Sequence, residues 1–214
     1  MKIAIVGAES TGKTQLALAL TAHFQANGHL TVMVSEFLRE WCEREHRTPQ
    51  AAEQRAIANE QALRVDAAAA SARTVADTTP LMTAVYSDML FGDSSLYDFA
   101  FQHQRGYDLT LLTGLDLPWV ADGLQRDGQQ VRPGVDHLVR RALDQAGIAY
   151  HVVHGQGSER LKRALSIIEH TVPPLSRAAN TKPTQWAWSC AHCGNARCEH
   201  RLFTELVRAE SMGR

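Results

Sequence analysis

Residues 1–14, MKIAIVGAESTGKT, decide the fold of this chain. Residues 3–6 are a short apolar run that predicts a buried strand. Residues 7–14 (GAESTGKT) then match the phosphate-binding loop pattern G-x-x-x-x-G-K-[ST] at every fixed position. A helix is predicted to start near Lys13, so strand, loop and helix follow one another in the order that phosphate binding requires.

The residue types of this loop suit a nucleoside triphosphate. Gly7 and Gly12 let backbone N–H groups surround phosphate oxygens, and the following helix adds its positive N-terminal end. Lys13 is expected to reach the β- and γ-phosphates, and the hydroxyl of Thr14 to coordinate Mg²⁺. The predicted ATP-binding residues of the loop are Gly7, Ala8, Glu9, Ser10, Thr11, Gly12, Lys13 and Thr14.

Size and composition indicate a soluble globular protein. The 214 residues, of which 44% are hydrophobic, can fill a sizeable core in one large domain or in a domain with a small appendage. No apolar stretch is long enough to span a membrane, and the N-terminus lacks the layout of a signal peptide, so we expect a cytoplasmic protein without a membrane partner. The net charge of −1 argues against a general nucleic-acid binder.

Beyond the loop, apolar runs alternate with helical patterns. Strands are predicted at 3–6, 30–34, 73–79, 107–113 and 148–153, and helices at 14–26, 49–72, from Pro80, 133–146 and 158–170, with residues 92–106 partly helical. This alternation predicts an α/β fold in which helices cover both faces of a five-stranded parallel sheet.

Charged side chains follow the second and third predicted strands. Glu36 and Arg39 come directly after the second strand, which places them near the γ-phosphate or its acceptor, because ligands bind at the carboxyl ends of parallel strands. A solvated first helical turn is the alternative for this pair. Asp77 ends the third strand, where a phosphate-loop enzyme usually holds Mg²⁺ or its bound water.

A long loop follows the fourth strand. Residues 114–123 carry no pattern of their own, which is typical of a functional lid. The segment continues to Arg126 and Arg132, two arginines that could fold over a bound nucleotide and stabilise charge on the transferring phosphoryl group.

Several stretches together resemble the ribosylnicotinamide kinase domain of the NadR proteins of bacterial NAD metabolism. They are GAESTGKT, SEFLREW, VADTTPLMTAVYS, YDLTLLTGLDLPWVADGLQRDG and AYHVVHGQGSERLKRAL, within about residues 1–168. The phosphate loop is shared with many unrelated NTPases. The D-x-P-W-V-x-D-G-x-x-R stretch is far more selective.

The resemblance implies a kinase-like phosphate-loop fold that transfers the γ-phosphate of ATP, with Mg²⁺, to the 5′-hydroxyl of nicotinamide riboside. Residues 7–14 would hold the phosphates, Asp77 would serve Mg²⁺ or deprotonate the hydroxyl, and Glu36 would face the riboside, with these last two roles open to exchange. The remaining implied residues are Arg39 facing the riboside, Trp119 and Asp122 lining its pocket, and Arg126 and Arg132 in the lid. The implied catalytic set is Lys13, Glu36, Asp77 and Arg126.

Two features depart from the family, and one residue fits the substrate independently of it. Thr79 stands where the family often has an acid, which predicts a thinner metal or substrate contact. The adenylyltransferase domain of NadR is absent from the sequence, so we expect the reaction to stop at the mononucleotide. The indole of Trp119 would stack well on a cationic pyridinium ring, although it could equally anchor the lid in the core.

The C-terminal part has a different composition. Residues 171–185 read as a linker between a domain at 1–170 and an appendage at 186–214. In the appendage, Cys190, Cys193, Cys198 and His200 can form a tetrahedral, structural Zn²⁺ site, with His192 as a substitute fourth ligand. A redox C-x-x-C pair or inert cysteines are the alternatives. The module could touch nucleic acid, another subunit or the lid, but stapling a short tail is the simpler role.

The sequence therefore favours a small-molecule kinase of nicotinamide riboside or, as a first rival, of another nucleoside or small alcohol. The second rival is a phosphate-loop NTPase switch whose zinc module carries the surface for a nucleic acid or a protein. The residues leave both the oligomeric state and the choice between ATP and GTP open.

Overall fold

The strand that begins the chain lies at the centre of a parallel sheet. A computed structural model describes residues 1–120 and 129–172, within the compact unit Met1–Val172. The strands are β1 (Lys2–Val6), β2 (Thr31–Val34), β3 (Arg73–Asp77), β4 (Leu109–Thr113) and β5 (His151–Val153), in the spatial order β2-β3-β1-β4-β5. All four pairings are parallel, which confirms the predicted five-stranded sheet.

Seven α-helices connect and follow the strands within the described residues. They are α1 (Lys13–Ala26), α2 (Phe37–Glu45), α3 (Gln54–Ala69), α4 (Pro80–Phe91), α5 (Tyr97–Gln104), α6 (Arg132–Gln145) and α7 (Gly157–Thr171). Short 3₁₀ turns at Ala51–Glu53 and Gln129–Val131 precede α3 and α6. None of these helices is long and apolar enough to cross a membrane.

Helices cover both faces of the sheet, as predicted. Because successive side chains of a strand point to opposite faces, Ile5 and Leu111 pack in one cluster with α1 and α7, while Val6 and Leu112 pack in another with α4, α5 and α6. These four side chains are fully buried, and each contributes roughly 1.5–3 kcal/mol of hydrophobic stabilisation.

Most predicted boundaries hold to within a few residues. Pro80 begins α4 as predicted, and the helices predicted to end at 26 and 146 are followed by Gly28 with φ +78° and Gly147 with φ +64°. Three strands begin later than predicted, at Thr31, Leu109 and His151, because pairing with a neighbouring strand begins only there.

The helix predicted from Thr48-Pro49 to Ala72 is shorter than expected. The prediction placed its start too early, because the 3₁₀ turn Ala51–Glu53 intervenes and the α-helix runs only over Gln54–Ala69. The carboxylate of Glu53 accepts a hydrogen bond of 2.7 Å from the backbone N–H of Gln50. This contact satisfies a donor at the start of the turn, so the cap lies at Gln50 rather than at Pro49.

Candidate functional site

The carboxyl ends of β1, β3 and β4 converge on one edge of the sheet. The phosphate loop leaves the central strand β1, and Asp77 at the end of β3 pairs in register with Ile5 of β1. On the other side, Thr113 ends β4. The strand order therefore places the loop between the ends of its two neighbours, where ligands bind in open α/β sheets.

Hydrogen bonds to one carbonyl fix the interior of the phosphate loop. The carbonyl oxygen of Ala8 accepts a bond of 2.7 Å from the hydroxyl of Thr11 and one of 2.8 Å from Nζ of Lys13. The side chain of Lys13 is only 7% exposed. The ammonium group is thus held against the loop, within the region where phosphate oxygens would enter.

Thr113 supports the loop from β4. Its Oγ1 lies 2.7 Å from Oγ1 of Thr11 and donates to the carbonyl of Val6 at 3.2 Å. A Cβ added to Gly7, which has φ +143°, would lie 2.3 Å from the same Oγ1. Sequence reasoning gave Thr113 no role because it lies about a hundred residues from the loop and outside the loop motif.

Ser10 ties the loop to the segment after β4. Its hydroxyl donates to the carbonyl of Val120 at 3.1 Å and accepts from the N–H of Val120 at 2.8 Å. Ser10 has φ +54°, a conformation that non-glycine residues adopt rarely. The start of the predicted lid is therefore anchored to the phosphate loop.

Glu36 and Arg39 reach the loop from the end of β2. Nη2 of Arg39 lies 3.1 Å from Oε2 of Glu36, and its Nη1 donates to Oγ1 of Thr14 at 3.4 Å. Glu36 is 8% exposed and sits at the N-terminal end of α2. The structure thus brings these two predicted residues together with Thr14, with Glu36 buried and the side chain of Arg39 39% exposed.

Asp77 is buried beside the loop. Its carboxylate is 1% exposed, and Oδ1 has no hydrogen-bond partner within the described part of the chain. Thr79, two residues further on, is also buried, and its hydroxyl donates to Oε1 of Gln104 at 2.7 Å. Thr79 is therefore part of the internal packing.

Thr14 and Asp77 suit the way proteins bind Mg²⁺ at phosphates. Mg²⁺ is usually held by one or two carboxylates together with substrate phosphates and waters, and not by a cage of protein ligands. Within the described part of the chain, the buried Oδ1 of Asp77 has no hydrogen-bond partner, which fits this pattern, and Thr14 supplies a hydroxyl on the phosphate loop. Among residues 1–120 and 129–172 there is no cluster of three or more His, Cys, Asp or Glu that could hold an ion by itself.

Glu9 and Tyr86 add to the acidic side of the site. The pKa of the Tyr86 hydroxyl is raised well above its usual value, first by burial and then by the nearby carboxylates of Glu9 and Glu36, with Arg39 opposing them. The ring of Tyr86 packs against the core on this side of the sheet. The residues next to Tyr86 in the sequence do not indicate that its hydroxyl lies near Glu9 and Glu36, because both glutamates belong to distant segments.

An open cavity of about 730 Å³ lies beside the loop. Its walls come from the phosphate loop, from the segment after β4 and from the start of α7. The lining residues are Ser10, Thr11, Gly12, Lys13, Thr14, Gln15, Leu16, Ala19, Arg39, Leu117, Pro118, Val120, Gln156, Gly157, Ser158, Arg160 and Leu161. Trp119 is half-buried and does not line this cavity, although both its neighbours do.

Two arginines meet the segment after β4. Arg132, 5% exposed, donates from Nη1 to the carbonyl of Leu117 at 3.0 Å, and its Nε and Nη2 have no hydrogen-bond partner among residues 1–120 and 129–172. Arg160 of α7 is 4% exposed, and its Nη2 lies 3.4 Å from Oδ1 of Asp116. Sequence reasoning missed Arg160 because an arginine in the first turn of a helix usually faces solvent.

Several predicted residues lie outside the described residues. They are Asp122 and Arg126 of the predicted lid and the zinc ligands Cys190, Cys193, Cys198 and His200, with the substitute His192. Their roles stay predictions, as do the linker at 171–185 and the appendage at 186–214.

Solved structures share this fold. A structure of NadR protein in complex with NR matches with a TM-score of 0.65 and 17% identity, over 83% of this chain and 52% of NadR. NadR in complex with NAD and AMP-PNP matches with a TM-score of 0.63 and 16% identity, over 84% and 51% of the two chains. The chain thus spans about half the length of these NadR chains, and the predicted resemblance is confirmed in the fold.

A nucleoside kinase shares the fold over its whole length. Deoxyadenosine kinase from M. mycoides, with products dCMP and a flexible dCDP bound, matches with a TM-score of 0.55 and 12% identity, over 79% of this chain and 100% of that one. No curated protein sequence matches the chain. A family model described as an AAA domain matches residues 2–160, which is most of the chain. The chain therefore belongs to this AAA domain family.

Proposed function

We propose that this protein is an ATP-dependent kinase that phosphorylates the 5′-hydroxyl of nicotinamide riboside to give nicotinamide mononucleotide. One observation carries the proposal: the carboxylates of Glu9 and Glu36 both lie near the Tyr86 hydroxyl, and Asp77 ends β3, the strand next to the phosphate-loop strand β1. An acidic acceptor side favours a cationic pyridinium over a neutral base. The shared fold of NadR in complex with NR supports the same acceptor.

The nucleotide is assigned to the opposite side of the loop. The loop N–H groups and Lys13 would hold the phosphates, and the cavity between Leu117, Val120 and α7 is large enough for the base and ribose of ATP. Arg132 donates to the carbonyl of Leu117 in the wall of this cavity, and its Nε and Nη2 have no hydrogen-bond partner among residues 1–120 and 129–172. This division leaves the carboxylate side for the acceptor.

Phosphoryl transfer then follows from the positions of the strands. β3 lies next to β1, whereas β2 lies one strand further out, so Asp77 is closer to the loop and Glu36 closer to the acceptor. Mg²⁺ held by Thr14 and Asp77 would supply charge neutralisation at the β- and γ-phosphates.

Glu36, oriented by its ion pair with Arg39, takes the proton of the 5′-hydroxyl as that oxygen bonds to the γ-phosphorus and the bond to ADP breaks. Lys13 and Arg132 stabilise the charge on the transferring group and on ADP.

The test is ADP formation by the purified full-length protein with Mg-ATP and a panel of nucleosides that includes nicotinamide riboside. We expect riboside-dependent turnover with the mononucleotide as product. Lys13→Ala should abolish it, while Lys162→Ala, which removes an exposed lysine of α7, should not. Absence of turnover with any acceptor, despite ATP binding, would overturn the proposal.

A kinase of another nucleoside is the second candidate, because deoxyadenosine kinase shares the fold. The two candidates differ in selectivity for a pyridinium over a neutral base. If Trp119 stacks on the pyridinium, Trp119→Ala should reduce the preference for nicotinamide riboside over adenosine and deoxyadenosine. If the wild type and Trp119→Ala show the same preference, Trp119 does not stack on the pyridinium and serves only in packing.

We further propose that the C-terminal Cys/His group holds a structural Zn²⁺, on the strength of its spacing alone. Metal analysis of the full chain should give about one zinc per protein, reduced by a Cys190→Ser, Cys193→Ser double variant.

Full kinase activity after deletion of residues 171–214 would show that the module has no catalytic role. ATP hydrolysis stimulated by a nucleic acid or a protein, without an acceptor, would instead favour the switch.

A further inference from the structure

A buried arginine from outside the motif contacts the backbone of the phosphate loop. Nη1 of Arg160 donates a hydrogen bond to the carbonyl oxygen of Thr11, and its Nη2 donates to the carbonyl of Val153 at 3.2 Å. A Cβ added to Gly12 would lie 2.8 Å from Nη1. The guanidinium thus fills the space between the loop and the end of β5.

This contact fixes the direction of one peptide group. In a planar trans peptide, the C=O of Thr11 and the N–H of Gly12 point in opposite directions. Because Arg160 holds the carbonyl on its own side, the N–H of Gly12 must point away from Arg160. A loop with glycine at this position could otherwise rotate the peptide at little steric cost.

A carboxylate holds the guanidinium from the segment after β4. Oδ1 of Asp116 lies 3.4 Å from Nη2 of Arg160, and Oδ2 accepts a bond of 2.6 Å from the N–H of Gly155. Burial lowers the pKa of Arg160, and the charge of Asp116 partly offsets this effect. A desolvated arginine that is paired and donates to two carbonyls is held in one orientation.

We propose that Arg160 is a positioning residue of the nucleotide site, which orients the Thr11–Gly12 peptide so that the N–H of Gly12 faces the phosphates. The proposal rests on the proposed function only in requiring that the loop bind a nucleoside triphosphate. It adds a residue of α7 and its partner Asp116 to the machinery that the loop motif defines.

The test compares ligands with and without phosphates. In titrations of the full chain, Arg160→Met should weaken ATP binding by about tenfold or more, the ratio expected for loss of one hydrogen bond to a charged group. Adenosine, which has no phosphate, should lose much less affinity, because only the edge of Arg160 reaches the cavity for the base and ribose. Arg163→Met removes an exposed arginine from the next turn of α7 and serves as the control.

A conservative variant keeps the test valid if Arg160→Met does not fold. Arg160→Lys retains the charge, but a single ammonium group cannot donate to the Thr11 and Val153 carbonyls in the geometry of the two guanidinium nitrogens. This variant should therefore recover only part of the ATP affinity. Equal loss of ATP and adenosine binding, or no loss of either, would overturn the proposal. Wild-type protein that binds ATP but phosphorylates no riboside would refute the proposed function and leave this inference standing.

Discussion

Gly7→Ala tests whether the structure of the phosphate loop depends on its first glycine. The new Cβ would lie 2.3 Å from Oγ1 of Thr113 and 3.1 and 3.3 Å from the backbone O and N of the same residue. Gly7 also has φ +143°, a region that is essentially restricted to glycine.

Two costs add in this variant. Adopting the glycine conformation costs about 1–3 kcal/mol, and overpacking against Thr113 costs about 1–3 kcal/mol more. We therefore expect the free energy of unfolding to fall by roughly 2–6 kcal/mol, which for a unit of this size corresponds to a fall in Tm of about 4–24 °C.

Urea unfolding of the full chain measures the effect, with Gly134→Ala as the matched control. Among residues 1–120 and 129–172, nothing lies within 4 Å of a Cβ added to Gly134 in helix α6, so that variant should gain about 0.5–1 kcal/mol. Combining Gly7→Ala with Thr113→Ala removes the contact with Oγ1 but leaves the backbone strain. The double variant should therefore be more stable than the sum of the single effects predicts. A Gly7→Ala protein as stable as the wild type would refute the reasoning.

Three further predictions concern the pH dependence of stability, the buried side-chain amide of Gln61, and the roles of Glu36 and Asp77 in catalysis. The pKa of Glu53 is lowered from 4.5 to about 2, chiefly by the hydrogen bond from Arg47. The ionised form therefore stabilises the fold above about pH 4.5, and this contribution is lost as the pH falls to about 2. In Glu53→Gln, the free energy of unfolding should fall less steeply between about pH 4.5 and pH 2 than in the wild type. Gln61→Met removes the acceptor, at 2.7 Å, of the first N–H of α2, and should lower the free energy of unfolding by about 1–3 kcal/mol in urea titrations. Glu36→Gln should lower kcat by about 10²–10⁴-fold at saturating Mg²⁺. In Asp77→Asn, the loss of kcat should be partly recovered by raising the Mg²⁺ concentration. The opposite pattern would make Asp77 the base and Glu36 the residue that serves Mg²⁺.

Local patterns determined the fold. Residues 7–14 required a strand before them and a helix after them, and the alternation of apolar runs predicted all five strands of the parallel sheet. The strand ends also identified Glu36 and Asp77, because parallel strands deliver their following residues to one edge. These features could be predicted because each depends on neighbouring residues and on a fixed period.

Contacts between distant segments were decided only in three dimensions. Thr113 meets the loop because β4 pairs with β1, and Tyr86 nears Glu9 because α4 packs beside the loop. Trp119 does not line the cavity beside the loop although both its neighbours do, and its contact with the riboside stays a prediction. Arg160 lies outside the phosphate-loop motif, yet it contacts the loop, because the fold packs the first turn of α7 against the Thr11 carbonyl.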